Sequence, residues 1–280
     1  NKYESTPLGQ LPLPEQPRLI LYNWEDYISE SVLWQFEEAT GITVELRVYA
    51  DDEDILGAAQ SGSFDGDLAI LSESVAAEMI KARLLHDLDL DALPNAKHIS
   101  PEYMWPDPET GRHFKIPYLM GITGLMVNTK HVPGPYNSWR ILWEESLRGR
   151  VAMLNNPFEV IAVPSLILGH GVNPSGEQLE AIARLLTVQK PLLAGYLSYT
   201  EITDLMIRNE LWAAQLYSGD GLMAMEQNGD LAFIIPEEGC VAWVDVFVIP
   251  LSSANPQDAL RFINFIHQPE VMGRLPSGLW

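Results

Sequence analysis

The chain has 280 residues, 47% of them hydrophobic, and a formal net charge of −21. That length is enough for two α/β lobes, each with its own core. The excess of carboxylates excludes a nucleic-acid partner, which needs clustered Lys and Arg, and would help steer a cation inward, although acidic surfaces also serve solubility. The apolar runs all fall short of the roughly 20 residues that span a bilayer, and the single cysteine, Cys240, rules out an internal disulfide or a thiolate metal cluster. Beside Val241 and Ala242 it reads as a buried, inert thiol.

Asn1 to Arg18 carries four prolines and little periodicity, which predicts a tether over residues 1–18, downstream of a lipoprotein or membrane anchor. The fold then begins at Leu19-Ile-Leu-Tyr, a buried strand by its apolar run. Ser29 caps a predicted helix with Val32, Leu33 and Phe36 on one face and Gly41 as its stop. Alternation from Thr43 to Tyr49 predicts a strand with Val44, Leu46 and Val48 facing one way. A helix over 52–60, a strand at 68–71 and a helix over 75–85 follow, and this order implies parallel strands with crossover helices. Residues 87–117 read as irregular surface.

Gly121 to Asn128 is the next strand and the expected crossing into a second lobe. There a helix is predicted over 138–147, a strand over 151–154, and helices over 159–168, 175–188 and 200–208. A strand at 213–217 leads into a helix opened by Gly219. Residues 232–235 and 244–249 read as buried strands, and Pro256 starts a last helix through Ile266. Lobe one is therefore expected over 19–128 plus 246–280, and lobe two over 129–245.

Ligands of open α/β sheets bind beyond the carboxyl ends of the strands. The residues at those ends include Trp24, Tyr27, Tyr217 and Trp243, with Asp26, Glu159, Asp220 and Asp245. That mixture suits an organic dication. Each ammonium loses several kcal/mol on leaving water unless a carboxylate replaces the solvent, and aromatic faces add roughly 0.5–2 kcal/mol of cation–π attraction. Each residue also has a plainer reading: tryptophans near strands are commonly core, and Asp26 or Asp220 could simply favour a helix N-terminus.

The segment Tyr22-Asn-Trp-Glu-Asp-Tyr-Ile, with Phe36-Glu-Glu-Ala-Thr-Gly-Ile, resembles the start of the bacterial periplasmic putrescine/spermidine-binding proteins. Pro236-Glu-Glu-Gly-Cys-Val-Ala-Trp-Val-Asp-Val-Phe-Val-Ile-Pro and Ala259-Leu-Arg-Phe-Ile-Asn-Phe resemble their later signature. The likeness implies an α/β, two-lobed periplasmic-binding-protein fold of type II-like kind, with a hinge and an inter-lobe cleft that closes on a polyamine. It implies that Trp24 and Trp243 are aromatic walls, that Tyr27 flanks the site, and that Ser72 touches the ligand. Asp26, Glu159, Asp220 and Asp245 are implied to bind amines. Tyr217 stands where that family usually has tryptophan, Val75 where an aromatic is frequent, and Asn156 where the spermidine-type branch has aspartate. The family also continues beyond the point where this chain ends, so Trp280 is expected near the position of a cleft aromatic.

Three readings stay open: polyamine delivery to an ABC permease, a sensing ectodomain coupled to a membrane signalling domain, and an enzyme acting on a small cation. No cofactor is expected. Asp87-Leu-Asp-Leu-Asp opens like a calcium loop, but Ala92 and His98 replace the needed Gly and Glu. The six histidines show no ligand spacing, and no Gly-x-Ser-x-Gly elbow, P-loop or dinucleotide fingerprint is present. The expected location is periplasmic or extracytoplasmic.

Overall fold

The computed structural model describes residues 17–25 and 27–275. Asp26, Trp280 and the expected tether up to residue 16 lie outside them. The chain divides into two compact units: one runs to Tyr118 and resumes at Asp245, the other runs from Leu119 to Val244. The predicted boundaries at Asn128 and Val246 therefore shift. The reason is that single long strands, β4 (Ile116–Asn128) and β9 (Val241–Val248), run through both boundaries.

In the first unit β1 (Arg18–Asn23) lies parallel to β2 (Thr43–Val48) and to β3 (Leu68–Ser72), and β3 pairs antiparallel with β9. Helix α1 (Glu30–Thr40) starts after Ser29 and stops where Gly41 takes a left-handed φ of 72°. That conformation suits a residue without Cβ. Phe36 of α1 meets Phe262 of α8 (Pro256–Ile266) edge-on at 5.0 Å, and Phe262 meets Phe247 of β9 at 6.2 Å. These rings close one face of the sheet. Val44 and Leu46 are partly buried, whereas Val48, at the end of the edge strand β2, is 55% exposed. Helix α2 (Asp52–Ser61) follows β2, and α3 starts at Glu73 and ends at Lys81, earlier than predicted. Ser72 already accepts a hydrogen bond from Val75 N as its cap.

The second unit pairs β4 antiparallel with β7 (Ala213–Tyr217) and with β8 (Leu231–Ile234). On the other side of β7 lie β5 (Val151–Leu154) and then β6 (Leu193–Leu197), all parallel. One face packs on Trp139, Leu142, Met153 and Val163, and the other on Ile202, Met206, Leu216 and Ala224. Coverage on both faces is why these strands read as continuous apolar runs. Helices α4 (Pro157–Ile167), α5 (Leu179–Gln189), α6 (Tyr199–Ile207) and α7 (Ser218–Gln227) connect them. Strand β6 was not predicted: it is half-exposed, and Gly195 interrupts any alternation. The helix predicted over 138–147 is instead two short 3-10 turns, 139–143 and 145–147. Trp139 donates its indole N–H to Gly239 O at 2.8 Å and Trp143 to Leu185 O at 3.0 Å. Buried Trp139 and Leu142 sit three apart, one 3-10 turn.

A buried carboxylate fastens the first unit. Asp67, 3% exposed, accepts from Ile20 N, Ala254 N and Asn255 N at 2.9–3.1 Å. Asp67→Ala orphans the buried Ile20 N–H, at a cost of about 1–3 kcal/mol, and removes the acceptor of the partly buried Ala254 and Asn255 N–H groups, at about 0.5–1.5 kcal/mol each. Urea denaturation of Asp67→Ala is expected to show a loss of at least about 2 kcal/mol. Asp65→Ala, which removes an exposed partner of Arg47, should cost less than about 1 kcal/mol. Equal losses would contradict the fastening role.

Candidate functional site

Parallel β1 and β3 end on the same edge of the first unit's sheet, and antiparallel β9 brings Asp245 to that edge. Ser72 and Asp245 are direct cross-strand partners. Asp245 is 8% exposed and accepts the Tyr27 hydroxyl hydrogen at 2.5 Å. Tyr27 is held in turn: its carbonyl accepts from the Tyr118 hydroxyl at 2.6 Å, and their rings meet at 5.6 Å. Trp24 stands edge-on to Tyr27 at 5.5 Å and tilted to Tyr49 at 5.2 Å. Four of the sequence-predicted residues, Trp24, Tyr27, Ser72 and Asp245, thus come together within one unit.

Burial pushes the Asp245 carboxyl up to about 7, against the Tyr27 hydrogen bond, and the negative charge of Asp52 adds to the rise. Asp52 accepts from Ser72 N at 2.9 Å and from Ser72 Oγ at 2.5 Å. The sequence analysis placed Asp52 only at the start of a helix and did not single out Tyr49 or Tyr118. The available signal was the polar group that closes each apolar strand; what those groups touch was not legible.

In the second unit Glu159 sits in the first turn of α4 and is 4% exposed. Its carboxyl accepts from Thr123 Oγ1 at 2.8 Å and from Gln215 Nε2 at 3.2 Å. Burial raises it to about 7, opposed by the Thr123 hydrogen bond. Thr123 is the cross-strand partner of Tyr217, and Tyr217 meets Trp243 edge-on at 6.1 Å. The Trp243 indole lies on Gly121, where an added Cβ would come within 2.3 Å of the ring; only glycine leaves that seat open. Asp220 lies in the first turn of α7, three residues beyond Tyr217. Thr123 and Gln215 were missed, though each is a polar residue inside an apolar run, the pattern of a buried polar partner. Asn156 caps α4, accepting from Phe158 N at 3.0 Å and Glu159 N at 3.3 Å. Val75 is buried beside a groove between α2 and α3, shared with Leu56 and Gln60. Cys240 is half-buried, more open than expected, with its thiol pushed up by burial and by Glu159.

Among the described residues no group of three His, Cys, Asp or Glu side chains is placed to hold a metal ion. No described helix is long and apolar enough to cross a membrane. The family model for bacterial extracellular solute-binding proteins matches residues 32–275. The chain belongs to that family. Among curated solute-binding relatives, the putrescine-binding periplasmic protein PotF of Escherichia coli is 29% identical, over 93% of this chain and 76% of its own. Among solved solute-binding structures, a putative spermidine/putrescine ABC transporter protein of Listeria monocytogenes superposes with a TM-score of 0.83 at 29% identity, covering 91% of this chain and 79% of its own. PotD, the spermidine/putrescine ABC transporter substrate-binding protein of Streptococcus pneumoniae, gives 0.80 at 29% identity, covering 92% and 80%. Relatives of this solute-binding protein are thus polyamine binders of ABC uptake systems, and the fold is the two-lobed α/β fold of periplasmic binding proteins.

Both buried carboxyls carry raised pKa values, so the folded chain binds more protons than the unfolded chain between the ordinary carboxylate range and about 7. Their contribution to stability is therefore present at acid pH and is lost as pH rises to about 7. Thermal unfolding of the ligand-free protein should show Tm falling from about pH 5 to about pH 7.5. Asp245→Asn should flatten that fall and raise Tm at the upper pH; an unchanged slope would mean Asp245 titrates normally.

Proposed function

We propose that this solute-binding protein captures a polyamine, a putrescine- or spermidine-like dication, outside the cytoplasm and delivers it to an ABC permease. The observation that carries the proposal is the Tyr27–Asp245 pair at 2.5 Å, its carboxylate buried and its half-buried tyrosine flanked by the half-buried Trp24 ring. A carboxylate whose charge is costly without a cation, beside flat apolar rings, has the chemistry that an alkylammonium requires. The names of the relatives at 27–29% identity point the same way.

We assign Asp245, Tyr27, Ser72 and Trp24 of the first unit to the ligand, with Asp26 of the same loop. From the second unit we assign Trp243, Tyr217, Asp220 and Glu159. Glu159 already holds two internal donors, but a carboxylate has about four lone-pair positions, so it keeps capacity for an ammonium. Micromolar affinity corresponds to about −8 kcal/mol, within the range of two ion pairs and two or three aromatic walls. The protein binds its ligand without altering it, as the solute-binding character of the family supports.

Calorimetric titration with putrescine, cadaverine, agmatine, spermidine and norspermidine should find at least one ligand, recovered chemically unchanged. Asp245→Asn and Trp243→Ala should each weaken the best of them by at least about tenfold, or about 1.4 kcal/mol. Unchanged affinity in both variants would place the site elsewhere; heat from none of the amines would end the polyamine reading.

A further inference from the structure

Three consecutive carboxylates, Asp52, Glu53 and Asp54, open α2. Their plain role is to favour a helix N-terminus. The cap itself, however, is supplied by Asp51, which accepts Glu53 N at 3.0 Å. Asp52 is turned away from its own helix toward the end of β3. Its Oδ2 accepts both the backbone N–H and the hydroxyl of Ser72, at 2.9 Å and 2.5 Å.

Ser72 faces Asp245 directly across the antiparallel β3–β9 pair. Side chains in such a pair leave the same face of the sheet, with Cβ atoms about 4.5–5.5 Å apart. Asp52 is therefore one hydrogen bond from the cross-strand neighbour of Asp245. The Tyr49 hydroxyl feels both: after burial, Asp52 and then Asp245 oppose its ionisation most. Among the described residues neither Asp52 nor Asp245 takes part in an ion pair. The negative charge of Asp52, with no cation of the protein's own between the two, disfavours the charged form of Asp245. A cationic ligand removes that conflict.

On the amine-binding reading above, we infer that Asp52 is a second carboxylate of the amine subsite in the first unit, coupled to Asp245 across Ser72, and that it selects a ligand end bearing a full positive charge. A primary ammonium fits this demand. It is compact, carries its charge on one nitrogen, and has three hydrogens to share among Asp245, the Ser72 oxygen and the surrounding acceptors. The Ser72 oxygen also accepts from Val75 N at 3.4 Å and lies 3.1 Å from Ser74 Oγ, an exposed hydroxyl free to turn to water. Asp54 and Glu53, exposed on the same turn, show no such link among the described residues.

Asp52→Asn separates charge from geometry, because asparagine keeps an oxygen for the Ser72 N–H and hydroxyl and loses only the negative charge. Putrescine titrated into Asp52→Asn should bind at least about tenfold more weakly than into the unsubstituted protein. Asp54→Asn, which removes the same charge two residues away, should stay within about twofold. Tm measured alongside should be equal in the two variants; if asparagine lowers it, Asp52→Ser supplies the same comparison with a shorter acceptor. Asp52→Asn binding like the unsubstituted protein, or Asp54→Asn weakening to the same extent, overturns the inference. Loss in Asp245→Asn with none in Asp52→Asn overturns the inference and leaves the amine reading standing, whereas no binding by the unsubstituted protein overturns both.

Discussion

A carboxylate taken out of water must be given donors or a counter-ion, and Asp245 receives only part of what it needs from its own unit. The Tyr27 hydroxyl donates to it at 2.5 Å. Tyr118 fixes Tyr27 by donating to its carbonyl, and Phe247, two positions along β9, ties Tyr118 into the core with ring centroids 4.8 Å apart. The position of this one charge thus depends on packing that runs back to Phe262 and Phe36. The remaining demand of Asp245 is for positive charge, and the charge of Asp52 that bears on it is of the same sign. The first unit is built to hold negative charge that it does not neutralise.

Glu159 of the second unit meets the same constraint differently. Its pKa is raised to a similar degree, but Thr123 and Gln215 give it two donors, and Gln215 also donates to its backbone carbonyl at 3.0 Å. These bonds join α4, β4 and β7 around one buried group. Truncating Gln215 would orphan Glu159 as much as it would remove an amide, a cost that exceeds the net value of the bonds themselves. A residue of this kind supports the fold and the site together.

The departures from the polyamine-binding pattern acquire physical reasons. Asn156 is the α4 cap, a role asparagine and aspartate fill about equally well. The substitution therefore keeps the helix start and removes a charge beside Glu159. Tyr217 is narrower than tryptophan but keeps an edge-on contact with Trp243 and a second ring contact with Tyr199 at 6.2 Å. Val75 packs toward the α2–α3 groove, so the size of its side chain is felt there.

Much of the local structure was legible from spacing alone. Ser29 and Gly41 bracket α1, the apolar runs mark β1, β3, β5 and β7, and the residues after those strands mark the strand ends where Trp24 and Ser72 stand in the first unit and Tyr217 in the second. The two 3-10 turns at 139–147 and the edge strand β6 were not legible, because tryptophan anchoring and edge pairing leave no periodic signature. Nor were the partners of the buried carboxylates. Tyr27 and Asp245 are 218 residues apart, Gln215 and Glu159 56 apart, and Asp52 and Ser72 20 apart. Periodicity tells which residues face a core, since that follows from backbone geometry over a few positions. The charge state of a carboxylate follows from the groups packed around it, and only the strand order β2-β1-β3-β9 and its register bring Asp52, Ser72 and Asp245 to one edge.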